Sequence, residues 1–255
     1  MEVKRVTLDD LEATYCCVNA VPPGVSWAEA LPESREWFKV NSGKHVEGYH
    51  LLDGDKVVGH IYYATSENAL VPYELEPRVA CVYCTEMLHD YMHKGYGKMM
   101  FDHMKNHLKE QGFKGIIIPA TDFKEWMHYE LFLKQGFKVI KEHPPYKIMY
   151  FPLTKESIAV KVLDLNYTPS RDKVEVTLFN NFFCPVGVYM YHLIKKVAES
   201  FGNKVKIVEI EATLENVRRY RTTDPLINGK IKMFGPASEE DVRKAIQEEI
   251  NQFRR

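Results

Sequence analysis

The sequence lacks three features that mark common classes of protein. No hydrophobic run reaches the ~20 residues needed to cross a bilayer, and the first residues lack the apolar core of a signal peptide. The five cysteines among 255 residues are too few, and odd in number, for a disulfide framework. We therefore expect a cytoplasmic protein with no membrane partner.

An excess of charge of one sign is also missing. The chain has 34 lysine and arginine residues against 35 aspartate and glutamate residues, for a formal net charge of -1. Proteins that bind nucleic acid usually carry a positive excess, because contacts to phosphate dominate their affinity. The balance predicts no nucleic-acid partner.

The length and the pattern of the chain predict two domains. Single domains cluster around ~100–200 residues, and a second series of β and α segments begins after Lys155. We place the domains at residues 1–154 and 155–255. Both are expected to have an α/β (α+β) fold, because β-rich runs and amphipathic segments are interspersed in each.

Residue pattern and turn residues predict the strands of the first domain. Residues 49–52 and 56–64 flank Asp53-Gly54-Asp55, and such a turn predicts a hairpin because glycine accepts the positive φ it needs. The other predicted strands cover residues 3–6, 78–88, 115–119, 137–141 and 146–153.

Two longer helices are predicted at residues 97–111 and 123–135, from apolar residues at helical spacing. The second should end at Gly136, with Phe137 packing back on Phe132 as in a Schellman cap. A shorter helix, capped by Thr7 or Asp9, should follow the first strand. Residues 22–32 read as a proline-interrupted loop.

A glycine-containing loop at residues 92–98 connects a predicted strand to a predicted helix. Gly95 and Gly97 let the backbone turn tightly, so that N–H groups at the start of the helix point at one anion. The helix dipole adds to the attraction, which makes a phosphate or diphosphate the natural ligand. A simple glycine-permitted turn is the alternative, and on spacing alone the two readings are balanced.

The order of these elements over about 150 residues resembles the GCN5-related N-acetyltransferase (GNAT) superfamily. Residues 90–98 look like its diphosphate loop and residues 131–137 like its late helix and turn. The resemblance implies a mixed sheet flanked by helices, acetyl-CoA as cosubstrate, and a small-molecule or peptide amine as acceptor, with a homodimer left open. The implied cofactor-binding residues are Met87, Leu88, Met92, His93, Lys94, Gly95, Tyr96, Gly97, Lys98 and Phe132.

Two positions depart from the family pattern. Met92 stands where the family usually has Arg or Gln, so we expect weakened binding of CoA. Phe132 stands where many relatives carry a tyrosine thought to protonate the departing thiolate. The thiol leaves adequately as a thiolate because its pKa is near ~8.5, so this departure does not exclude catalysis.

Three residues are candidates for acid–base catalysis. Glu86, at the end of a predicted strand, lies in an otherwise uncharged run whose burial would raise its pKa toward that of a useful base. A solvated or salt-bridged carboxylate is the alternative for Glu86, and a surface role is the alternative for His89. Tyr129 offers a hydroxyl one turn before Phe132, unless it belongs to the core. The resemblance implies that a backbone N–H near Met87 holds the oxyanion.

Neither a metal site nor the acceptor site has a sequence motif. Cys81 and Cys84 share a predicted strand, where residues three apart point to opposite faces, so they cannot hold a metal together. We expect no bound metal. Acceptor-side residues are expected in the loops at residues 21–41 and 66–77, which carry no motif.

The second domain resembles the thioredoxin fold. Cys184 and Pro185 follow the predicted strand at residues 174–179 and begin a helix at residues 185–201, where a helix N-terminus would lower the pKa of the thiol. Thr223-Asp224-Pro225 would match the loop that carries the fold's cis-proline. Gly187 replaces the second cysteine of the C-x-x-C motif, so Cys184 is a candidate for monothiol chemistry only.

The other predicted elements of the second domain are strands at residues 204–211, 225–227 and 230–234 and helices at residues 214–220 and 241–254.

The combination looks like acetyltransferases with an appended YoaP-type domain. The leading hypothesis is an acetyl-CoA-dependent N-acetyltransferase that works by direct attack of an amine. The alternatives are a monothiol redox or thiol-sensing protein and an adaptor, in both of which the first domain only binds acyl-CoA.

Overall fold

The computed structural model describes residues 1–19, 26–124, 126–155 and 158–253, and the chain divides into two compact units. One unit comprises Met1–Pro23, Phe38–Ala69 and Tyr73–Val162, and the other Gly24–Trp37, Leu70–Pro72 and Leu163–Arg255. In the described part of the chain, no helix has both the length and the hydrophobicity of a membrane crossing.

The first unit is built on a seven-stranded mixed sheet in the order β1-β2-β3-β5-β6-β8-β7. The predicted mixed sheet flanked by helices is confirmed. The strands of this unit are β1 (Glu2–Arg5), β2 (Glu47–Asp53), β3 (Lys56–Thr65), β4 (Tyr73–Leu75), β5 (Val79–Met87), β6 (Gly115–Thr121), β7 (Lys138–His143), β8 (Tyr146–Pro152) and β9 (Val160–Val162). The first four α-helices of the chain are α1 (Cys16–Asn19), α2 (Leu31–Asn41), α3 (Tyr96–Glu110) and α4 (Tyr129–Lys134).

The sheet opens between β5 and β6, and this opening positions the candidate site. The two strands are parallel, and in the described residues they pair only from Val79 to Cys81 and from Gly115 to Ile117. Farther along, β5 continues to Met87 in antiparallel pairing with β3 alone. The carboxyl end of β5 therefore has one edge free of a neighbouring strand, and the chain leaves it for the loop before α3.

The ends of the helices follow the capping chemistry of the sequence in two places. The Schellman cap after α4 is confirmed, because the N–H of Phe137 donates to the carbonyl of Phe132 at 3.0 Å and that of Gly136 to Leu133 at 3.0 Å. Thr7 precedes a helix as predicted, and its N–H donates to the Asp10 carboxylate at 2.8 Å. That helix, Leu8–Ala13, is a 3₁₀ helix.

Two predictions for residues 1–154 are wrong in extent. Residues 26–30 form a 3₁₀ turn and α2 starts at Leu31, where a loop was expected, because Pro32 falls in the first helical turn and its missing N–H costs nothing there. Residues 22–25 of that loop lie outside the described residues. The helix expected from residue 123 starts at Tyr129. The Thr121 hydroxyl accepts the N–H of Phe123 and donates to the carbonyl of Trp126, which holds these residues in a turn, and Met127 has a φ of 45°. Residue 125 also lies outside the described residues.

The second unit contains a three-stranded sheet in the order β11-β10-β12. Strand β10 (Val174–Asn180) pairs parallel with β11 (Val205–Glu211) and antiparallel with β12 (Leu226–Ile227). The helices are α5 (Pro185–Glu199), α6 (Leu214–Tyr220) and α7 (Glu239–Phe253), and α7 packs against α5 and β10. The strand expected at residues 230–234 is wrong, because Lys230 makes only an isolated bridge to Ile227 and residues 231–234 pair with no described strand. Lys230 and Lys232 both reach the fully buried carboxylate of Glu249 on α7 at 2.9 Å.

Candidate functional site

The loop between β5 and α3 presents a row of unused backbone donors. A 3₁₀ turn at His89–Tyr91 follows β5, and the N–H of Met92 closes it by donating to the carbonyl of His89 at 3.0 Å. Beyond it, no N–H from His93 to Lys98 donates a hydrogen bond to the described part of the chain. These donors stand at the N-terminus of a 15-residue helix, where the dipole favours an anion.

Two residues of this loop have a left-handed backbone conformation, and its two glycines have open space where a side chain would be. His93 has a φ of 60° and Gly95, the N-cap of α3, a φ of 84°. A Cβ added at Gly95 or at Gly97 would meet no atom within 4 Å. Packing inside the protein therefore does not explain either glycine, and backbone N–H groups without a partner at a helix N-terminus are suited to bind an anion such as a diphosphate.

Side chains around the loop tie it to the β2–β3 hairpin and add positive charge. The Tyr91 hydroxyl donates to Asp53 Oδ2 at 2.8 Å, and the ammonium groups of Lys56 and Lys94 each lie 5.8 Å from the centre of the Tyr91 ring. Lys98 pairs with Asp102 one turn along α3. Met92 is 39% exposed, so the position that departs from the family pattern faces solvent.

Glu86 lies near the end of β5 and is partly buried. Burial raises the pKa of its carboxyl group, and this effect is partly offset by the N–H of Met87, which donates to Glu86 Oε1 at 3.1 Å. The N–H of Leu88 is used in the sheet, where it donates to the carbonyl of Val58 at 2.9 Å. Of these two amides, only that of Met87 is bound to a group that can move away.

The other predicted site residues of the first unit have different surroundings. His89 is exposed directly after β5. Tyr129 is partly buried as the first residue of α4, with the Lys147 ammonium 5.1 Å from its ring centre. Phe132 is 1% exposed and packs against Phe101 and Phe137 in the core. Its role as a cofactor contact stays a prediction, and in this structure its ring is buried among core side chains.

The structure places a buried polar cluster beside Glu86 that the sequence analysis missed. His60 on β3 pairs directly with Glu86 on β5. Its Nδ1 lies 3.2 Å from Cys16 Sγ, and its ring stacks on Tyr62 at 4.3 Å. The available signal was a pair of histidines, His50 and His60, that face each other across the predicted hairpin.

Cys184 is the N-cap of α5, as predicted, but its thiol is not activated. Burial raises the pKa of the Cys184 thiol, and the N–H groups of Val186 and Gly187 only partly offset that effect. The expected lowering of the pKa is wrong. The expected cis-proline is also wrong, because the cis bond in the described residues is Pro144–Pro145 and not Asp224–Pro225.

Within the described residues, no group of three or more His, Cys, Asp or Glu side chains is placed to hold a metal ion. Cys81 is buried in β5 and Cys84 is partly exposed.

A sequence model of the acetyltransferase (GNAT) family matches residues 11–137. The match supports acyl transfer as the general reaction of this region. No curated protein sequence matches the chain at a significant level.

Three solved structures are among those that the chain matches. An aminoglycoside 6′-acetyltransferase type Ii is 13% identical, with a TM-score of 0.48 over 62% of this chain and 100% of that one. The PaiA N-acetyltransferase from Thermoplasma acidophilum, in complex with coenzyme A, is 15% identical, with a TM-score of 0.43 over 60% and 99%. Tetrahymena GCN5 is 18% identical, with a TM-score of 0.42 over 62% and 99%.

Proposed function

We propose, on the premise that residues 11–137 are a GNAT-type module, that the protein transfers an acetyl group from acetyl-CoA to an amine by direct attack. The observation that carries the proposal is the row of free N–H groups from His93 to Lys98 at the start of α3. Several amides that converge on open space at a helix N-terminus favour a diphosphate.

In this proposal the loop binds the diphosphate of acetyl-CoA. The backbone from His93 to Lys98, Gly95 and Gly97 included, supplies the donors, and the side chains of Met92, Lys94 and Tyr96 border them. The chain continues directly from β5 into the loop, so Met87 and Leu88 would lie toward the acyl end. Bound acetyl-CoA supplies the thioester carbon that the amine attacks.

Glu86 is the proposed general base. An amine of pKa ~10 arrives mainly protonated at neutral pH, so a base must remove a proton before the amine nitrogen can attack. Burial raises the pKa of Glu86 toward neutrality, which suits that task. The new N–C bond forms first and gives a tetrahedral intermediate, which collapses as the C–S bond breaks. The nitrogen loses its second proton to solvent, and CoA leaves as a thiolate that takes up a proton. His89 is the second candidate for the base.

The oxyanion of the tetrahedral intermediate is assigned to the N–H of Met87. The amide of Leu88 is already bound to Val58, whereas that of Met87 is held only by the Glu86 carboxylate. Protonation of the thiolate is left to water or to the Tyr129 hydroxyl, because Phe132 has no proton to give and is buried.

We also propose that residues 1–154 form the acyltransferase domain and residues 155–255 a thioredoxin-like domain of the YoaP type. The parallel β10–α5–β11 unit with antiparallel β12 supports that fold. The raised pKa of Cys184 argues against the alternative, a monothiol redox protein. The cytoplasmic location and the homodimer stay predictions of the sequence.

Calorimetry with acetyl-CoA, followed by measurement of CoA release with a panel of small and peptide amines, tests the function. The proposal expects saturable binding and acceptor-dependent release. Binding without release from any amine would favour a protein that only binds acyl-CoA, and absence of binding would contradict the proposal.

A further inference from the structure

The first unexplained feature is a buried ring nitrogen of His60. His60 is fully buried, and its Nε2 has no hydrogen-bond partner in the described part of the chain. Buried polar groups are nearly always hydrogen-bonded, so an unpaired ring nitrogen calls for a reason. Because His60 and Glu86 are direct neighbours across the β3–β5 ladder, their side chains lie on the same face of the sheet.

A second unexplained feature lies at Glu86 itself. Its Oε1 accepts the N–H of Met87, the amide assigned above to the oxyanion. One amide proton cannot serve the carboxylate and the acyl oxygen fully at the same time. For the proposed reaction, the Glu86 carboxylate has to leave this amide, and it then needs another donor.

The contact with Cys16 points to one tautomer of His60. Burial, followed by the charge of Glu86, raises the pKa of the Cys16 thiol to about 12, so the thiol keeps its proton at neutral pH, and its Sγ lies 3.2 Å from His60 Nδ1. We take the thiol as the donor and His60 Nδ1 as the acceptor in this contact. Burial lowers the pKa of His60 to about 3, so the ring is neutral. In a neutral ring with Nδ1 as acceptor, Nε2 is the donor.

We propose that His60 is a positioning residue for Glu86, an inference that rests on the proposed function. When the acyl oxygen takes the N–H of Met87, the Glu86 carboxylate turns and accepts the N–H of His60 Nε2. One movement then frees the oxyanion donor, satisfies the buried ring nitrogen and keeps the base ionised.

The neighbouring histidine on β2 is neutral at neutral pH. His50 lies opposite His60 in the ladder, and its pKa is lowered to about 4 by burial; Asp10 has a smaller effect that raises it, and Lys4 a smaller effect that lowers it. From β3, the Tyr62 ring stacks on His60, and its hydroxyl lies 3.0 Å from His50 Nε2 and accepts the N–H of Tyr15. From α1 and β5, the thiols of Cys16, Cys17 and Cys84 lie close enough to Tyr62 to act on its pKa.

Two amide substitutions separate the proposed role from a structural one. The side-chain nitrogen of glutamine reaches the position of Nε2, whereas that of asparagine reaches only Nδ1. His60→Asn should therefore lower kcat/KM about 10- to 100-fold, the value of a hydrogen bond to a charged group. It should also move the acidic limb of the pH profile upward, because a lost donor disfavours the ionised carboxylate.

His60→Gln should recover both the rate and the pH profile toward those of the wild type. The matched control is His50→Gln, a second buried histidine whose Nε2 already has Tyr62 as a partner, and its pH profile should not move. Equal losses in both His60 variants, or recovery by asparagine and not by glutamine, would overturn the proposal in favour of a packing role through Cys16.

Nitrogen-15 spectra of histidine-labelled wild-type protein give a test that needs neither a variant nor turnover. We expect His60 Nε2 to carry the proton at neutral pH and its resonance to shift when acetyl-CoA is added. A proton on Nδ1, or a resonance unmoved by saturating acetyl-CoA, would overturn the role of His60. Absence of acetyl-CoA binding in the calorimeter would instead overturn the proposed function on which it rests.

Discussion

The N-termini of α3 and α5 look alike in the sequence and differ in what they offer to a ligand. Both helices have 15 residues, follow a strand in the chain and carry a glycine in the first turn. At α3, the N–H groups of residues 93–98 donate to no atom in the described part of the chain, and a Cβ added at Gly95 or Gly97 would meet open space. At α5, the first helical residue is Pro185, which has no N–H, and the N–H groups of Val186 and Gly187 lower the pKa of the Cys184 thiol against the effect of burial. A helix N-terminus supplies donors, but only unoccupied donors can bind an external anion.

Burial acts in the same direction on one acid in each unit, with opposite chemical consequences. It raises the pKa of the Glu86 carboxyl group and also that of the Cys184 thiol. The first shift moves the pKa toward neutrality and makes a better base, whereas the second moves it away and leaves less of the nucleophilic thiolate. The comparison assigns the chemistry to the first unit.

The largest expected effect is the loss of acetyl-CoA binding in Gly95→Glu. The new carboxylate would repel the diphosphate from the amides of the loop, so calorimetry should detect no binding. Gly235→Glu is the matched control, because Gly235 has a φ of 74° and its Cβ would also meet open space. Unchanged affinity in Gly95→Glu would contradict the proposal that the N-terminus of α3 binds the diphosphate and that of α5 does not.

Glu86→Gln tests the catalytic side of the comparison. The loss of a general base should lower kcat about 10²–10⁴-fold at pH 7 and less at pH 9, where more of the amine is already unprotonated. An equal loss at both values would exclude Glu86 as the base.

The same variant should be more stable than the wild type at neutral pH. Since the pKa of Glu86 is raised in the folded state, this group contributes stability below its unfolded pKa and loses that contribution as the pH rises through the folded value. The gain in Tm of Glu86→Gln should therefore be larger at pH 7 than at pH 4. A larger gain in Tm at pH 4 than at pH 7 would show that the folded state stabilises the ionised carboxylate.

Alkylation of Cys184 tests the second helix. Because its pKa is raised, we expect iodoacetamide to modify it more slowly at pH 7.5 than a peptide thiol of pKa ~8.5. Mass spectrometry of the modified peptide gives the rate, and unfolded protein is the control. Modification faster than that of the peptide thiol would restore the monothiol alternative.

The smallest expected effect comes from Met92→Arg. The side chain is 39% exposed, so an added cation beside the loop should tighten acetyl-CoA binding about threefold to tenfold with little change in stability. The gain should shrink at high salt. Met92→Gln is the uncharged control, and an equal gain in both variants would show that charge is not the cause.

Local chemistry made part of the molecule predictable from the sequence. The hairpin around Gly54, helix α6 at residues 214–220 and the Schellman cap at Gly136 each depend on a few neighbouring residues, and the structure agrees with all three. The paired strands β4 and β9 were missed, because a pairing between Tyr73–Leu75 and Val160–Val162 leaves no local pattern.

In the candidate site too, features set by neighbouring residues could be predicted and features set by distant residues could not. The amide loop follows from glycine spacing between a strand and a helix, which are local features. The pairing of His60 with Glu86 depends on how β3 and β5 align, and its contact with Cys16 on α1 spans 44 residues. The pKa of Cys184 was predicted with the wrong sign because burial depends on the tertiary surroundings, while the helix N-terminus was visible in the sequence.

The backbone amide resonances of the α3 loop, followed during a titration with acetyl-CoA, test the central claim most directly. The account predicts saturable shifts that are largest from His93 to Lys98, with the Val186 and Gly187 amides unmoved. Binding that leaves residues 93–98 unchanged and shifts amides elsewhere would contradict it.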